Sequence, residues 1–355
     1  MRHTTLFPVL LVLGLALPTD AQDRIVGWGT RVFDSDLGTQ DSVGIGAGFA
    51  HSAVLRSDGT AHAFGSNAAG VCLLPAPPAG SIFVQVVCGH TVTVLRDSTG
   101  GLQGLGAASN GLLDVPTPPA GTDYVDVACT WSTAAAVRSD GALAAWGWNS
   151  YGQAAPPPLP PGRSAKRVAM GREHGLALLD DGSVVAWGRN HFGQIDVPTL
   201  PAGKVYVAVS ASHDQSAALR SDGQLLCWGT SKPAPNLPPN VSYTAVSVGW
   251  SHHAAVRSDG EIVVWAWSNQ YGQAAPAPAL PAGTDDVDVV AGRTHTLALR
   301  SDGRFVAWGD GTNLRCNVTP APSGKRSIQL VGTSHQVYRL LDDGTIDVWG
   351  SSTFG

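Results

Sequence analysis

Charge is scarce in this sequence. Only 14% of its 355 residues are Asp, Glu, Lys or Arg, and the formal net charge is −5. A weakly and negatively charged surface repels phosphate backbones and anionic bilayers, which argues against nucleic acid or a membrane surface as partner. After Leu17 no apolar stretch is long enough to cross a bilayer, so no membrane insertion is expected. The five cysteines, Cys72, Cys88, Cys129, Cys227 and Cys316, contain no Cys-x-x-Cys pair. They read as structural thiols with at most one or two disulfides, because a chain with this much core needs no staples.

Catalytic signatures are missing too. The chain has no Gly-x-Ser-x-Gly, no His-Glu-x-x-His, no phosphate loop and no Asp-x-Asp-x-Asp-Gly calcium loop. No enzyme chemistry and no cofactor are expected from it. The body of the chain also lacks helical periodicity, which excludes helical solenoids.

What is abundant is turn chemistry, with 43 Gly and 24 Pro. The dipeptide Asp-Gly stands at Asp58-Gly59, Asp140-Gly141, Asp181-Gly182, Asp222-Gly223, Asp259-Gly260, Asp302-Gly303 and Asp343-Gly344, with a degraded copy at Asp97 to Gly101. From Gly141 to Gly182 to Gly223 the step is 41 residues. Asp-Gly between two apolar runs marks a tight hairpin, since both residues tolerate positive φ. An alternating run such as Val205 to Val209 precedes each hairpin, and a Gly-Gln followed by a Pro-rich link comes after it. A fourth short strand is expected at that Gly-Gln. Four antiparallel strands per 40 residues or so make a propeller blade. The expected fold is all-β, a single β-propeller of about 41 residues per blade, with eight blades by count of complete hairpins. Arg24 to Gly29 is a surplus third-strand copy that leaves ring closure open.

The repeated pattern, as in GREHGLALLDDGSVVAWGRNHFGQIDVPTLPAG from Gly171 to Gly203, resembles the repeat of the regulator-of-chromosome-condensation propellers. Its length is most similar to the short-repeat bacterial branch that includes a secreted β-lactamase inhibitor protein. The resemblance spans roughly residues 25 to 355 and implies a propeller, usually of seven blades, the alternative to eight here. It implies no single function, because the fold hosts exchange factors, inhibitors and other binders.

Residues 1–21 read as a secretory signal: Arg2 and His3 start it, Leu6 to Leu17 is a short apolar run, and Ala21 offers a small residue for cleavage. The domain plan is therefore a signal peptide at 1–21 and a propeller at 22–355. The product is expected to be secreted or periplasmic, and a monomer.

Positions filled alike in most repeats belong to the blade. Trp146, Trp187, Trp228, Trp265, Trp308 and Trp349 read as wedges between blades. The Arg of Arg-Ser-Asp-Gly reads as solvated turn chemistry. His51, His174, His252 and His295 hold one repeat position, and a ring of imidazoles invites a metal reading. Equivalent positions on neighbouring blades stand roughly 10 Å apart, too far for shared ligation, so each His is expected to bond backbone within its own blade. Asp285, Asp286 and Asp288, like Asp123 and Asp126, read as solvated strand ends. Tyr151, Phe192 and Tyr271 precede a Gly in several repeats and are expected to pack under the outer strand.

Variable positions carry the candidate site. In an up-and-down meander the loops after strands one and three emerge at the same end. The first kind of loop holds Phe49, His90, Trp131, Arg172, His213, Trp250 and Arg293; the second holds Trp148, Arg189, His191, Trp267 and Asp310. Trp and Arg concentrate binding energy at interfaces, and in the resembled inhibitor the equivalent loops carry the partner surface. The expectation is an exported, non-catalytic propeller that binds a protein through this loop face. The alternatives are a glycan-binding module and a hydrolase with an unrecognised site in the outer loops. Guanine-nucleotide exchange, implied by the eukaryotic branch, conflicts with export.

Overall fold

A computed structural model describes residues 42–350 apart from 48–50, 57, 66–69, 108, 292–294, 302–304, 310–326, 333–335, 342 and 344. The signal segment, the surplus strand copy at Arg24 to Gly29 and Cys316 lie outside the described residues. Among those described, eight three-stranded antiparallel sheets follow one another, each in chain order. They are blades 1 to 8, at 42–65, 83–106, 124–147, 165–188, 206–229, 243–266, 286–309 and 327–350. The first strands form the inner ring. Each touches the next, and that of blade 1 touches the first and second strands of blade 8.

Blade 4 shows the unit, with strands Ala165–Met170, His174–Leu179 and Val184–Gly188. Its Asp-Gly turn matches those of its neighbours. In blade 3, Gly141 has φ +82, its N–H donates to Arg138 O at 2.8 Å, and Asp140 Oδ1 accepts Ala142 N at 3.0 Å. The turn also ties blades together, because Gly141 O accepts the N–H of Ala165, the first residue of blade 4, at 2.7 Å. The turn arginines are less solvated than the sequence suggests. Arg138 and Arg257 pair with Asp140 and Asp259, Arg220 Nε reaches Asp222 Oδ1 at 2.7 Å, and Arg300 is buried against Asp286 and two link carbonyls.

Every first strand carries a bulge at its second residue. In blade 3, Tyr124 faces Arg138 and Asp126 faces Val137, leaving Val125 without a cross-strand partner. The extra residue turns its side chain out of the sheet, and Val125, Val207 and Val287 stand exposed. In blades 2, 3 and 6 the residue after it, Gln85, Asp126 or Ala245, is buried instead. Asp126 is not a solvated strand end: its carboxylate accepts Gln85 Nε2 of blade 2 at 3.4 Å and Val168 N of blade 4 at 3.1 Å. Burial raises its pKa above the usual carboxylate range. Asp286 is buried likewise, whereas Asp123 and Asp285 are exposed.

The core lies between sheets. Ala135 and Val137 of blade 3 pack on Ala165, Val168, Met170 and Trp187 of blade 4. The repeat Trp wedges there as expected, and its indole N–H reaches back to the main chain of the preceding blade's tail. Trp187 Nε1 donates to Gln153 O at 2.8 Å, Trp228 Nε1 to Gln194 O at 2.9 Å, and Trp265 Nε1 to Lys232 O at 3.1 Å.

That tail is where the expected fourth strand fails. Residues 150–154 are turns and a bend, and no fourth strand joins any of the eight sheets among the described residues. Side chains take up the hydrogen bonds that a strand would have used. Gln153 Oε1 accepts Tyr151 N at 2.9 Å, and Asn149 Oδ1 accepts Ala154 N at 2.8 Å. The prolines that follow have no N–H to give to a ladder.

His174 and His252 bridge blades rather than bonding within their own, while the side chains of His51 and His295 lie outside the described residues. Buried His174 Nε2 meets Ser216 Oγ of blade 5 at 2.9 Å, and that hydroxyl donates to Gln194 O at 2.7 Å. His252 Nε2 meets Thr296 Oγ1 of blade 7 at 2.9 Å in the same way, and Thr296 Oγ1 donates to Gln273 O at 2.7 Å. In blades 4 and 6 the second strand begins at this His, beside a hydroxyl of the next blade. Cys88, Cys129 and Cys227 carry thiols, and burial pushes those of Cys129 and Cys227 up to about 12. They stay protonated and inert at neutral pH.

Candidate functional site

Loops of two kinds meet at the end opposite the Asp-Gly turns. The inner loops of blades 3, 4 and 6, between first and second strands, are each closed by one backbone bond: Thr130 N to Thr133 O at 3.0 Å, Gly171 N to His174 O at 2.9 Å, and Gly249 N to His252 O at 2.9 Å. The two residues enclosed, Trp131-Ser132, Arg172-Glu173 and Trp250-Ser251, lie outside the strand pairing and vary from blade to blade. The second of each pair then accepts the amide that leaves the third strand. Trp148 N donates to Ser132 O at 2.8 Å, Arg189 N to Glu173 O at 2.8 Å, and Trp267 N to Ser251 O at 3.1 Å. Inner and outer loops of one blade are thus fastened side by side at one end.

Glycine makes that approach possible. Gly147 and Gly188 have φ +99 and +98, and a Cβ on either would overlap the accepting carbonyl. Blade 6 has Ala266 instead, outside the left-handed region. There Trp267 stands out at 64% exposure, while Trp148 after Gly147 is half-buried and meets the Tyr151 ring edge-on at 5.8 Å.

Blade 5 departs from the pattern. Its first strand runs one residue longer, to Ser212, which pairs with Gln215 across a two-residue loop, His213-Asp214. His213 takes φ 44, a left-handed conformation that costs a residue with a Cβ about 1 kcal/mol or more. The turn sets the imidazole between two partners, Asp214 Oδ2 at 2.9 Å from Nδ1 and Arg172 Nη1 at 3.5 Å from Nε2. Arg172 N also donates to His213 O at 3.0 Å.

The inner loops of blades 2 to 6 converge. His90 of blade 2 stacks on Trp131 of blade 3 at 4.5 Å, and the Arg172 guanidinium of blade 4 lies over the same indole at 4.8 Å. His213 of blade 5 sits 4.2 Å from Trp250 of blade 6, and Trp131 and Trp250 meet at 6.1 Å. Blades 3 and 6 are not neighbours, so these two indoles meet across the mouth of the ring. Arg172 leads outward to a second cluster. Its Nε lies 3.7 Å from Glu173 Oε1, and Glu173, only 3% exposed, also pairs with Arg189. Arg189 lies 4.9 Å over Tyr151 and 5.8 Å over Phe192, and its Nε donates to His191 Nδ1 at 3.0 Å.

Two carboxylates underlie this surface. The hydrogen bond to Glu173 raises the Arg189 pKa further above its usual value. Burial by itself raises Asp214, but the His213 hydrogen bond and the charges of His213 and Arg189 outweigh it, and the net pKa is lowered. Burial also lowers the His90 pKa below the usual imidazole value. Among the described residues no three His, Cys, Asp or Glu side chains gather as metal ligands would.

Of the residues singled out from sequence, His90, Trp131, Arg172, His213 and Trp250 form the axial cluster, and Trp148, Arg189 and His191 the outer one. Trp267 stands apart on blade 6. Phe49, Arg293 and Asp310 lie outside the described residues. Sequence reasoning missed Glu173 and Asp214, whose place in the variable pairs was the available signal. It also misplaced Tyr151, Phe192 and Tyr271, which are 40%, 50% and 45% exposed rather than packed under a strand. Their repeat Gln holds the backbone amide two residues before it and leaves the ring to solvent.

Comparison with known proteins adds the following. A family model for the regulator of chromosome condensation (RCC1) repeat matches residues 43–71, 124–153, 165–194 and 287–313. No curated protein matches the chain. Among solved structures, the chain is similar to the CRINKLY WD40 ectodomain of the Arabidopsis thaliana receptor kinase ACR4, with 21% identity over 76% of this chain and 96% of that one at TM-score 0.56. It is similar to Prp20p from Saccharomyces cerevisiae, studied for its binding to Gsp1p and histones, with 20% identity over 81% and 75% at TM-score 0.52. It is also similar to yeast RCC1 (Prp20) bound by Kap60, with 18% identity over 84% and 79% at TM-score 0.55.

Proposed function

For a chain that is a β-propeller of the RCC1-repeat family, a fold family that binds proteins, we propose an exported, non-catalytic protein-binding role with the loop end as its docking surface. One observation carries the reading. The side chains that the blade does not need, two Trp, two His and an Arg drawn from five successive inner loops, are knitted into one half-buried cluster, and exposed aromatic rings flank it. Such a centre with an aromatic rim matches the anatomy of interfaces whose energy sits in a few Trp, Tyr and Arg anchors. Export rests on the short basic start and the apolar run at residues 6–17. The solved relatives named for protein partners lend the fold precedent.

The test is cross-linking of the purified chain to the exported fraction of its own source, followed by binding of each captured partner to Trp250→Ala and Trp267→Ala variants. Affinity is expected to fall at least about tenfold in one of them with the melting temperature within a few degrees of the parent. Partners that bind both variants like the parent would overturn the proposal.

A glycan reading is favoured at one place only. Trp267 and Tyr271 expose open ring faces on blade 6, whereas Trp131 is already covered by His90 and Arg172. Glycan-array binding lost in Trp267→Ala would support it, and a blank array would remove it.

A further inference from the structure

Arg172 is held in place without being saturated. Its guanidinium lies 4.8 Å over Trp131, which fixes the plane, and its backbone amide is tied to His213 O at 3.0 Å. Its ionic partner is shared and loose: Glu173 Oε1 stands 3.7 Å from Arg172 Nε, while the other carboxylate oxygen of Glu173 pairs with Arg189. Its Nη1 faces a ring nitrogen, His213 Nε2, at 3.5 Å. A guanidinium is built to engage a carboxylate through two parallel N–H groups, and this one lacks that bidentate match. Its side chain is 36% exposed, whereas the Glu173 side chain beneath it is 4% exposed and that of Asp214 is 9% exposed. An incoming group therefore meets the cation first, at the centre of an aromatic frame.

Resting on the protein-binding reading above, we infer that the loop end takes a carboxylate-bearing protein segment, with the Arg172 guanidinium as its anchor. An Asp or Glu side chain completes the fork of Arg172, and apolar neighbours in the same segment cover Trp250 and the Tyr151 and Phe192 rings. Arg189 gives secondary attraction, since Glu173 already holds it. A basic segment is less favoured over this cluster, because the Glu173 and Asp214 carboxylates are 4% and 9% exposed and already paired with Arg189 and His213.

A displayed library of random twelve-residue peptides, panned on the whole chain, tests this. The selected peptides are expected to be enriched in Asp or Glu beside an aromatic or aliphatic residue. Their affinity is expected to fall about tenfold or more in Arg172→Gln, partly recover in Arg172→Lys and weaken as salt is raised. Arg163→Gln, a cation at the opposite end, should leave it unchanged. A selection without acidic enrichment, or acidic peptides that bind Arg172→Gln like the parent, overturns the inference. If neutral peptides are selected and are lost in Trp250→Ala, the loop end still binds protein and only the carboxylate chemistry fails. Peptides indifferent to every loop-end variant defeat both readings. Far-UV circular dichroism and melting of each variant separate misfolding from lost contact.

Discussion

One methyl group separates two kinds of glycine in this chain. Gly203, in a Pro-rich link, and Gly223, in an Asp-Gly turn, have nearly the same backbone, φ +75 and +77, but a Cβ on Gly203 meets nothing within 4 Å whereas one on Gly223 overlaps the Cβ of Ser242. Gly203→Ala should cost only the left-handed strain, about 1–2 kcal/mol. Gly223→Ala should cost clearly more, because the overlap lies at the joint where Tyr243 N donates to Gly223 O at 2.7 Å. Urea melts of the two variants measure the difference, and equal losses would mean that the joint is soft. The link of blade 5 shows the same rule met otherwise, since Asn240 holds φ 63 where other links have Gly.

At the scale of the strand and its loop, the bond from His174 to Ser216 ties blade 4 to blade 5, and it makes that joint sensitive to acid. Burial lowers the His174 pKa from 6.5 to about 4. Between those values the unfolded chain holds the proton and the folded one does not, so stability is fully present above pH 6.5 and is lost as pH falls toward 4. The advantage of the parent over His174→Gln should therefore be constant above pH 7 and shrink below it, by up to roughly 3 kcal/mol at pH 4. Comparison against the variant cancels Asp286 and Asp288, which burial raises to about 6 and about 7 and which act in the opposite sense. A gap that stays flat from pH 7 to 4 would refute the assignment.

The same scale shows what could be read before coordinates. Asp-Gly, the alternating runs and Trp-Gly declared hairpins and wedges, because each depends on local backbone chemistry and recurs with the blade. The tail could not be read that way. Asn, Gly and Gln at fixed spacing fit a fourth strand as well as they fit a turn tied by its own side chains, and Asn149 and Gln153 settle it through bonds to amides close by. Loop residues were legible as variable, which placed Trp131 and Trp250 at one end. That these two indoles touch was not, since it depends on how far loops from blades three apart lean over the axis. The exposure of Tyr151 and Phe192 was hidden for the same reason that the tail was.

For the whole molecule, stability is shared between joints rather than stored in one core, as in other repeat chains. Blade 1 meets blade 8 through their inner strands. A chain ending at residue 326 loses that last sheet and leaves two sheet faces without a neighbour, so it should melt at a clearly lower temperature and self-associate in light scattering. A truncated chain that melts with the parent would show that closure contributes little.

The meeting of Trp131 with Trp250 has a topological consequence. Side chains from non-adjacent blades that touch above the hub form a bridge over it, so that end of the axis carries an indole floor between blades 3 and 6. Whatever docks over blades 3 to 6 rests on that bridge and presses on loops from opposite sides of the wheel at once.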